Sequence, residues 1–188
     1  EDAGTTDCSI LEDGVGPDIA TCGEFPVTIQ GRFGGAVTYQ WSVFNTASNS
    51  FDLIVGATNP FLDVNQSGIY QLEGFDLSGV SLGTDELQVL DVSTSIISVG
   101  YNIAEGSFSG SYTITADVLP TPEVEAAGFT DFEYRLDKEV DPNDGFFEYR
   151  PFQSSPVFEN VPPGDYQIIA RYANCPDSEV TSVIIMIL

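Results

Sequence analysis

The sequence contains no histidine, only five basic residues and only three cysteines. Without histidine, the chain can form neither a nucleophilic triad with a histidine base nor a zinc site with histidine ligands. It also has no CxxC pair, the spacing typical of zinc and redox sites. No uninterrupted apolar stretch reaches the roughly 18 to 20 residues that a membrane-spanning helix needs. These absences argue against triad catalysis, zinc binding and membrane insertion.

Acidic residues dominate the charge. Asp and Glu number 29, and the formal net charge is −24 at pH 7. Such a chain repels the phosphates of nucleic acids and the headgroups of anionic membranes, so we expect neither as a partner. With 42% hydrophobic and 12% aromatic residues, the composition is too apolar for a disordered acidic tail. The composition predicts a folded protein with an acidic surface.

The three cysteines indicate an oxidising compartment, although weakly. We predict that Cys8 and Cys22 close a loop near the N-terminus. Cys175 is then left over, and it is either free or paired with Cys8, Cys22 or another molecule. No basic and apolar leader opens the sequence, so we expect any export signal to have been removed already.

Short segments of alternating apolar residues, separated by Gly, Asn, Asp, Ser and Pro, run through the whole sequence. This period predicts β-strands, six before residue 93 and seven after it, and no sustained helical pattern interrupts them. We therefore predict an all-β protein of two tandem β-sandwich domains. Residues 1–92 form an immunoglobulin-like sandwich with an N-terminal extension, and residues 93–188 form a fibronectin-III-like sandwich.

Trp41 and Tyr70 are the residues that point to a sandwich core. A Trp in one strand, followed by Ser67-Gly68-Ile69-Tyr70 at the start of a later strand, is typical of a core Trp and a tyrosine corner. Aliphatic residues, Val27 or Ile29 and Leu72, stand where many immunoglobulin domains carry the core disulfide. In the second half, a Pro-Pro-Gly turn before Tyr166 predicts another corner.

Several motifs carry a resemblance to a known group of proteins. In the first half they are Tyr39-Gln40-Trp41, Gly56-Ala57-Thr58 and Ser67-Gly68-Ile69-Tyr70, and in the second half Phe132-Glu133-Tyr134-Arg135-Leu136-Asp137, Val161-Pro162-Pro163-Gly164-Asp165-Tyr166 and Ala173-Asn174-Cys175. With these motifs the chain resembles tandem modules of bacterial surface adhesins and filament proteins that are exported by the type IX secretion system. The resemblance implies a secreted, cell-surface, non-enzymatic module with a structural or adhesive role. Its expected partners are other copies of itself or neighbouring modules of a larger protein.

The sequence ends in six unbroken apolar residues, which are Val183, Ile184, Ile185, Met186, Ile187 and Leu188. A continuous apolar run predicts a strand that is buried on both faces. Two interpretations stay open. The run is either the last strand of its own domain, or an assembly strand that is donated to a neighbouring subunit so that the chain polymerises.

The best candidate for a cation site is the segment between residues 137 and 145. Oxygen-bearing side chains recur there at close spacing before a glycine, and calcium binds such oxygens in flexible loops. The candidate calcium ligands are Asp137, Glu139, Asp141, Asn143 and Asp144. The spacing differs from an EF-hand loop, and a polar hairpin turn without an ion explains the same residues.

Catalysis is not expected, since no pattern identifies a cleft around the carboxylates. The alternative function is a carbohydrate-binding module, with polysaccharide as the partner. In that interpretation, exposed aromatic side chains form a flat platform for sugars. The candidates are Tyr101, Phe108, Tyr149 and Phe152.

Overall fold

A computed structural model of the chain describes residues 14–105 and 110–188. Strands make up nearly all of its regular structure, which confirms the all-β prediction. None of the helices in these residues is long and apolar enough to cross a bilayer. The elements in chain order are β1 (Ile19–Thr21), β2 (Val27–Gln30), β3 (Thr38–Asn45), β4 (Ser50–Leu53), β5 (Phe61–Val64), β6 (Gly68–Phe75), β7 (Ser81–Asp91), β8 (Ile96–Glu105), β9 (Tyr112–Pro120), α1 (Pro122–Ala126), β10 (Phe132–Asp141), β11 (Gly145–Gln153), β12 (Val157–Val161), β13 (Gly164–Tyr172), a 3₁₀ turn (Pro176–Ser178), β14 (Val180–Thr181) and β15 (Ile185–Ile187).

The chain divides into two compact units. The first comprises the chain up to Ile19 together with Phe25–Val89, and the second comprises Ala20–Glu24 and Leu90–Leu188. The short segment Ala20–Glu24 thus belongs to the second unit, whereas the sequence-based boundary placed it in the first domain. The domain boundary near residue 93 stays a prediction.

The first unit is built on a five-stranded and a two-stranded sheet. The larger sheet has the order β1-β7-β6-β3-β4, and the smaller one pairs β2 with β5. Alternation along β6 turns Tyr70, Leu72 and Gly74 inward. Trp41 is fully buried in the same core, and its indole Nε1 donates a hydrogen bond to the carbonyl of Asn59 at 2.9 Å. The prediction that Trp41 fills the core is confirmed.

Ile29 and Leu72 are both buried beside Trp41, so aliphatic packing takes the place of a core disulfide, as predicted. The Tyr70 hydroxyl donates to the carbonyl of Gln66, four residues earlier, at 2.9 Å. This is a tyrosine corner, which fixes the turn that leads into β6. Burial raises the pKa of Tyr70 above its ordinary value.

The second unit divides its strands between two sheets. One has the order β12-β9-β8, and the other has the order β11-β10-β13-β14, with β15 also paired to β13. Counted from β8, strands one, two and five therefore form one sheet, and strands three, four, six, seven and eight form the other. Immunoglobulin-type sandwiches divide their strands in a closely similar way.

A continuous apolar core fills the second sandwich. Its most deeply buried side chains include Ile114, Leu136, Tyr166, Ile168 and Ile185, each of them 0% exposed. The Tyr166 hydroxyl donates to the carbonyl of Pro162 at 2.8 Å, which confirms the second predicted corner. Gly164 precedes this Tyr with φ of 147°, and a Cβ there would lie 3.0 Å from Cε of Lys138. Glycine is therefore required at this point of the turn.

A disulfide joins Cys22 to Cys175, with 5.3 Å between the two Cα atoms. The predicted pair of Cys8 and Cys22 is therefore wrong, and one of the open alternatives for Cys175 is correct. The physical reason is that Ala20–Glu24 packs within the second unit, where Cys22 lies against a small cluster of Val92, Val124, Tyr172 and Cys175. Cys8 lies outside the described residues. The disulfide is compatible with an extracellular protein.

Within the apolar C-terminal run only Ile185–Ile187 forms a strand, β15, and a break in the ladder separates it from β14 (Val180–Thr181). At the break, the Ser182 hydroxyl accepts a hydrogen bond from the backbone N–H of Ile168 at 3.0 Å. Beyond it, β15 pairs with the start of β13, and Ile185 and Ile187 are buried while Met186 is 69% exposed. The segment is thus the last strand of its own sandwich, half-buried rather than buried on both faces. Donation to a neighbour stays a hypothesis.

Candidate functional site

Most of the predicted site residues lie on the hairpin formed by β10 and β11. This hairpin contains all five candidate calcium ligands and two of the four candidate sugar-binding aromatics. β11 forms the edge of its sheet, while β10 lies between β11 and β13. The hairpin is therefore the region where a calcium site or a sugar-binding surface would have to form.

The tip of the hairpin is a tight polar turn that is stabilised by Asp141. The Asp141 carboxylate accepts hydrogen bonds from the backbone N–H of Asn143 at 2.8 Å and from its side-chain amide at 2.9 Å. These two bonds lower the pKa of Asp141 and keep the carboxylate charged. Gly145 completes the turn with φ of 81°. The residue types at the tip are those that the turn geometry requires.

Asp137 lies on the outer face of β10 and takes part in a different interaction. It forms a two-pronged ion pair with the guanidinium of Arg135, with contacts of 2.9 and 3.1 Å. Both side chains alternate with Tyr134 and Leu136, which point into the core. Asp137 is only 7% exposed, and a buried carboxylate of this kind needs its cationic partner.

The five candidate calcium ligands therefore do not converge. Asp141 and Asn143 are brought together by the turn, whereas Asp137 is paired with Arg135 in the body of the sheet. Within residues 14–105 and 110–188, no group of three or more Asp, Glu, Cys or His side chains is placed to hold a metal ion. The geometry gives the calcium prediction no support.

Basic and aromatic side chains form two clusters on this sheet. Four of the five basic residues of the chain lie on β10, β11 and β13. On the outer face, Arg171 and Arg135 lie 3.8 and 5.1 Å from the ring centre of Phe152. Arg171 also contacts the carboxylates of Glu133 at 3.0 Å and Glu179 at 3.4 Å. This network covers the outer face of the sheet with paired charges.

The second cluster lies toward the core. The Lys138 ammonium is 5.8 Å from the ring centre of Tyr149 and 5.3 Å from that of Tyr166, and the guanidinium of Arg150 is 4.6 Å from Tyr149. Cations at such distances are attracted to the ring faces. Burial raises the pKa of Tyr166, and the nearby Lys138 offsets part of that rise.

The candidate sugar-binding aromatics do not share one platform. Tyr149 and Tyr101 pack against the core of the second unit, whereas Phe152 lies under two guanidinium groups on the outer face of its sheet. Tyr149 and Phe152 therefore point to opposite faces of β11. Phe108 lies outside the described residues. A flat sugar-binding surface made from Tyr101, Tyr149 and Phe152 is not formed.

A small open groove of 280 Å³ lies in the first unit, beside the turn between β5 and β6. Its only carboxylate is that of Asp63, which accepts a hydrogen bond from the Thr28 hydroxyl at 2.6 Å. Hydrolysis of a glycosidic bond needs two carboxylates on either side of the substrate. This groove does not supply such a pair.

Sequence reasoning left the partner of Cys175 open and missed the outer-face ion pairs, although the ion pairs had a visible signal. Glu133, Arg135 and Asp137 occupy alternate positions of a predicted strand, and alternate residues share one face. The disulfide had no comparable signal, because three cysteines allow three pairings. The chain matches no protein-family model, and the curated proteins contain no significant match to it.

Proposed function

We propose that the chain is a non-enzymatic structural or adhesive module of a secreted bacterial protein, carried on the cell surface or in an extracellular filament. The observation that carries the proposal is the disulfide between Cys22 and Cys175, which joins residues 153 positions apart and staples a β-sandwich. Disulfides form and persist in oxidising compartments outside the cytosol. A stapled sandwich is suited to resisting unfolding while its surface loops make contacts.

The charge distribution supports the same role. The acidic surface, with a net charge of −24, keeps copies from collapsing onto one another in the crowded layer outside a cell. The resemblance to adhesin and filament modules exported by the type IX secretion system is part of this proposal. It rests on sequence motifs, among them the two that contain the tyrosine corners at Tyr70 and Tyr166.

In a polymerising form of the module, the C-terminal segment would leave β13 and pair with a neighbouring copy. Its exposed members support this idea, since Val183, Met186 and Leu188 are 71%, 69% and 100% exposed. Donation uncovers Ile185 and Ile187, so the equivalent strand of another copy must take their place. A chain locked in its own pairing therefore cannot polymerise by donation.

This variant of the proposal is tested with a cross-strand disulfide between positions 165 and 186, which face each other in β13 and β15. The double variant Asp165→Cys/Met186→Cys is made in a Cys8→Ser background, and the single Met186→Cys variant is the control. If donation occurs, negative-stain microscopy will show filaments for the control and none for the locked chain. Filaments from the locked chain would refute donation.

The location of the module is tested on the cells that make the protein. Antibodies against the purified chain are applied to intact and to permeabilised cells. We expect labelling of intact cells or of material shed from them. Labelling that requires permeabilisation would overturn the proposal.

A further inference from the structure

Among the described strands, β8 is an edge strand of the three-stranded sheet in the second unit. It pairs with β9 along its length, and in the described part of the chain no other strand joins its ladder. Strands β13 and β14 of the opposite sheet pass near it without backbone pairing. The free side of an edge strand presents unpaired N–H and C=O groups, which are a template for another strand.

The other edges of the described sheets carry the features that prevent such pairing. β11 contains Glu148, Arg150 and Pro151, and its register with β10 is interrupted by bulges. The remaining edge strands, β1, β2, β4, β5, β12, β14 and β15, are two to five residues long. Charge, proline, bulges and short length are the usual means by which proteins protect a sheet edge.

β8 lacks most of these features, and its register with β9 shifts only at its start, between Ile96 and Ser98. It is ten residues long and contains no proline, and no charged residue occurs between positions 93 and 104 of a chain with 29 acidic residues. Its pairing with β9 is regular from Ser98 to Glu105. Ile97 and Ile103 remain 55% and 41% exposed. A long edge that is regular over most of its length and has its one charge at the end, on Glu105, is the kind that accepts a partner strand.

We propose that β8 pairs in antiparallel orientation with β8 of a second copy of this chain, around a two-fold axis at Gly100. This inference names a partner for the proposed module and in that respect rests on the proposed function. Antiparallel pairing through one strand is self-complementary in such a dimer. It joins two three-stranded sheets into a continuous six-stranded sheet.

The sequence of β8 supports a second copy as the occupant. In a register centred on Gly100, Val99 lies opposite Tyr101, and Ser98 lies opposite Asn102. Apolar residues thus meet apolar ones and polar residues meet polar ones. Glu105 lies opposite Ser95, so no two carboxylates face each other. For two chains of charge −24, this uncharged strip allows close approach without direct repulsion across the strands.

The test is sedimentation equilibrium of the full chain over a range of concentrations. We expect the wild-type chain to form a dimer reversibly. Gly100→Asp and Gly100→Lys each place like charges opposite each other at the axis and should weaken the dimer by about tenfold or more. An equal mixture of the two variants places opposite charges there and should restore a mixed dimer. Ser81→Asp and Ser81→Lys, at an exposed strand position of the first unit, are the matched controls.

Position 100 tolerates a side chain, since a Cβ there lies 3.5 Å from its nearest neighbour, the carbonyl oxygen of Asp117. Circular dichroism checks that each variant is folded. A wild-type chain that is monomeric at every concentration would overturn the proposal, as would a Gly100→Asp dimer of unchanged affinity. Either result leaves the proposed function standing, because display on a surface does not require this dimer.

Hydrogen exchange of the wild-type chain provides a test that needs no variant. Pairing protects the outward N–H groups of β8 as the concentration rises, while those of β11 keep their exchange rates. Protection of β11 instead, or a dimer without protection of β8, would contradict the proposal.

Discussion

Breaking the Cys22–Cys175 disulfide will expose most of the chain to pulling forces from which it is otherwise shielded. A force applied between the two ends follows the covalent path to Cys22, crosses the disulfide to Cys175 and continues to the C-terminus. The residues between the two cysteines form a closed loop and carry no tension while the bond is intact. In the proposed structural or adhesive role, this loop would be a region protected from tension.

The size of the effect follows from the separation of the cysteines. The loop covers 153 sequence positions, and its ends are held with their Cα atoms 5.3 Å apart. An extended chain spans about 3.3 to 3.6 Å per residue, so opening the disulfide adds about 500 to 550 Å to the length that force can extract. In the oxidised chain only the segments outside the loop can be pulled out, which include β14 and β15.

Single-molecule force spectroscopy with handles at both ends measures this length directly. Oxidised wild-type chain is compared with the Cys175→Ser variant, and Cys8→Ser is the control that keeps the disulfide. We expect the long extension only for Cys175→Ser. An oxidised chain that extends as far as this variant would refute the reasoning. In the chain-entropy model, a loop of this length also stabilises the fold by about 5 kcal/mol, and less if the first unit stays folded within it.

Three smaller changes test the packing of the units by chemical denaturation. Tyr166→Phe removes the corner hydrogen bond and should lower the free energy of unfolding by about 0.5 to 1.5 kcal/mol, and no loss would show that the corner does not contribute. Leu136→Ala opens a cavity in the second core and should cost about 2 to 5 kcal/mol, whereas Met186→Ala at an exposed position should cost far less. Burial raises the pKa of Asp91, but hydrogen bonds from Ser93 and the backbone of Gly23 outweigh it and lower the pKa below the usual value of 3.8. The stabilisation by the Asp91 carboxylate is therefore fully present above about pH 3.8 and is lost as the pH falls through the lowered pKa of the folded chain. This loss of stability should be absent in the Asp91→Asn variant.

The parts of the fold that the sequence predicted are those governed by local period. Alternation along β6 placed Tyr70 and Leu72 on the core side, and the Pro-Pro-Gly turn before Tyr166 marked the second corner. These features depend on residues that are neighbours in the sequence. The six apolar residues at the C-terminus were misleading, because only Ile185–Ile187 forms a strand, and that strand turns one face to the core and leaves Met186 exposed.

The candidate site was less predictable because carboxylates that are close in sequence have separate partners, and because one cysteine pairs with a distant one. Asp137 and Asp141 are close in sequence and suggested shared ligands for calcium. Strand geometry instead places Asp137 beside Arg135 on the outer face and leaves Asp141 to hold the turn. The partner of Cys22 lies 153 positions away, a distance at which sequence spacing carries no information on pairing.

The measurement that tests the account most directly is a disulfide map of the native protein recovered from outside intact cells. Material sheared from the cell surface is alkylated without reduction, digested and examined by mass spectrometry. The account predicts a peptide that contains Cys22 linked to one that contains Cys175. Recovery of the protein only from the cytosol, or of Cys22 and Cys175 as free alkylated thiols, would contradict the account of a secreted, disulfide-stapled module.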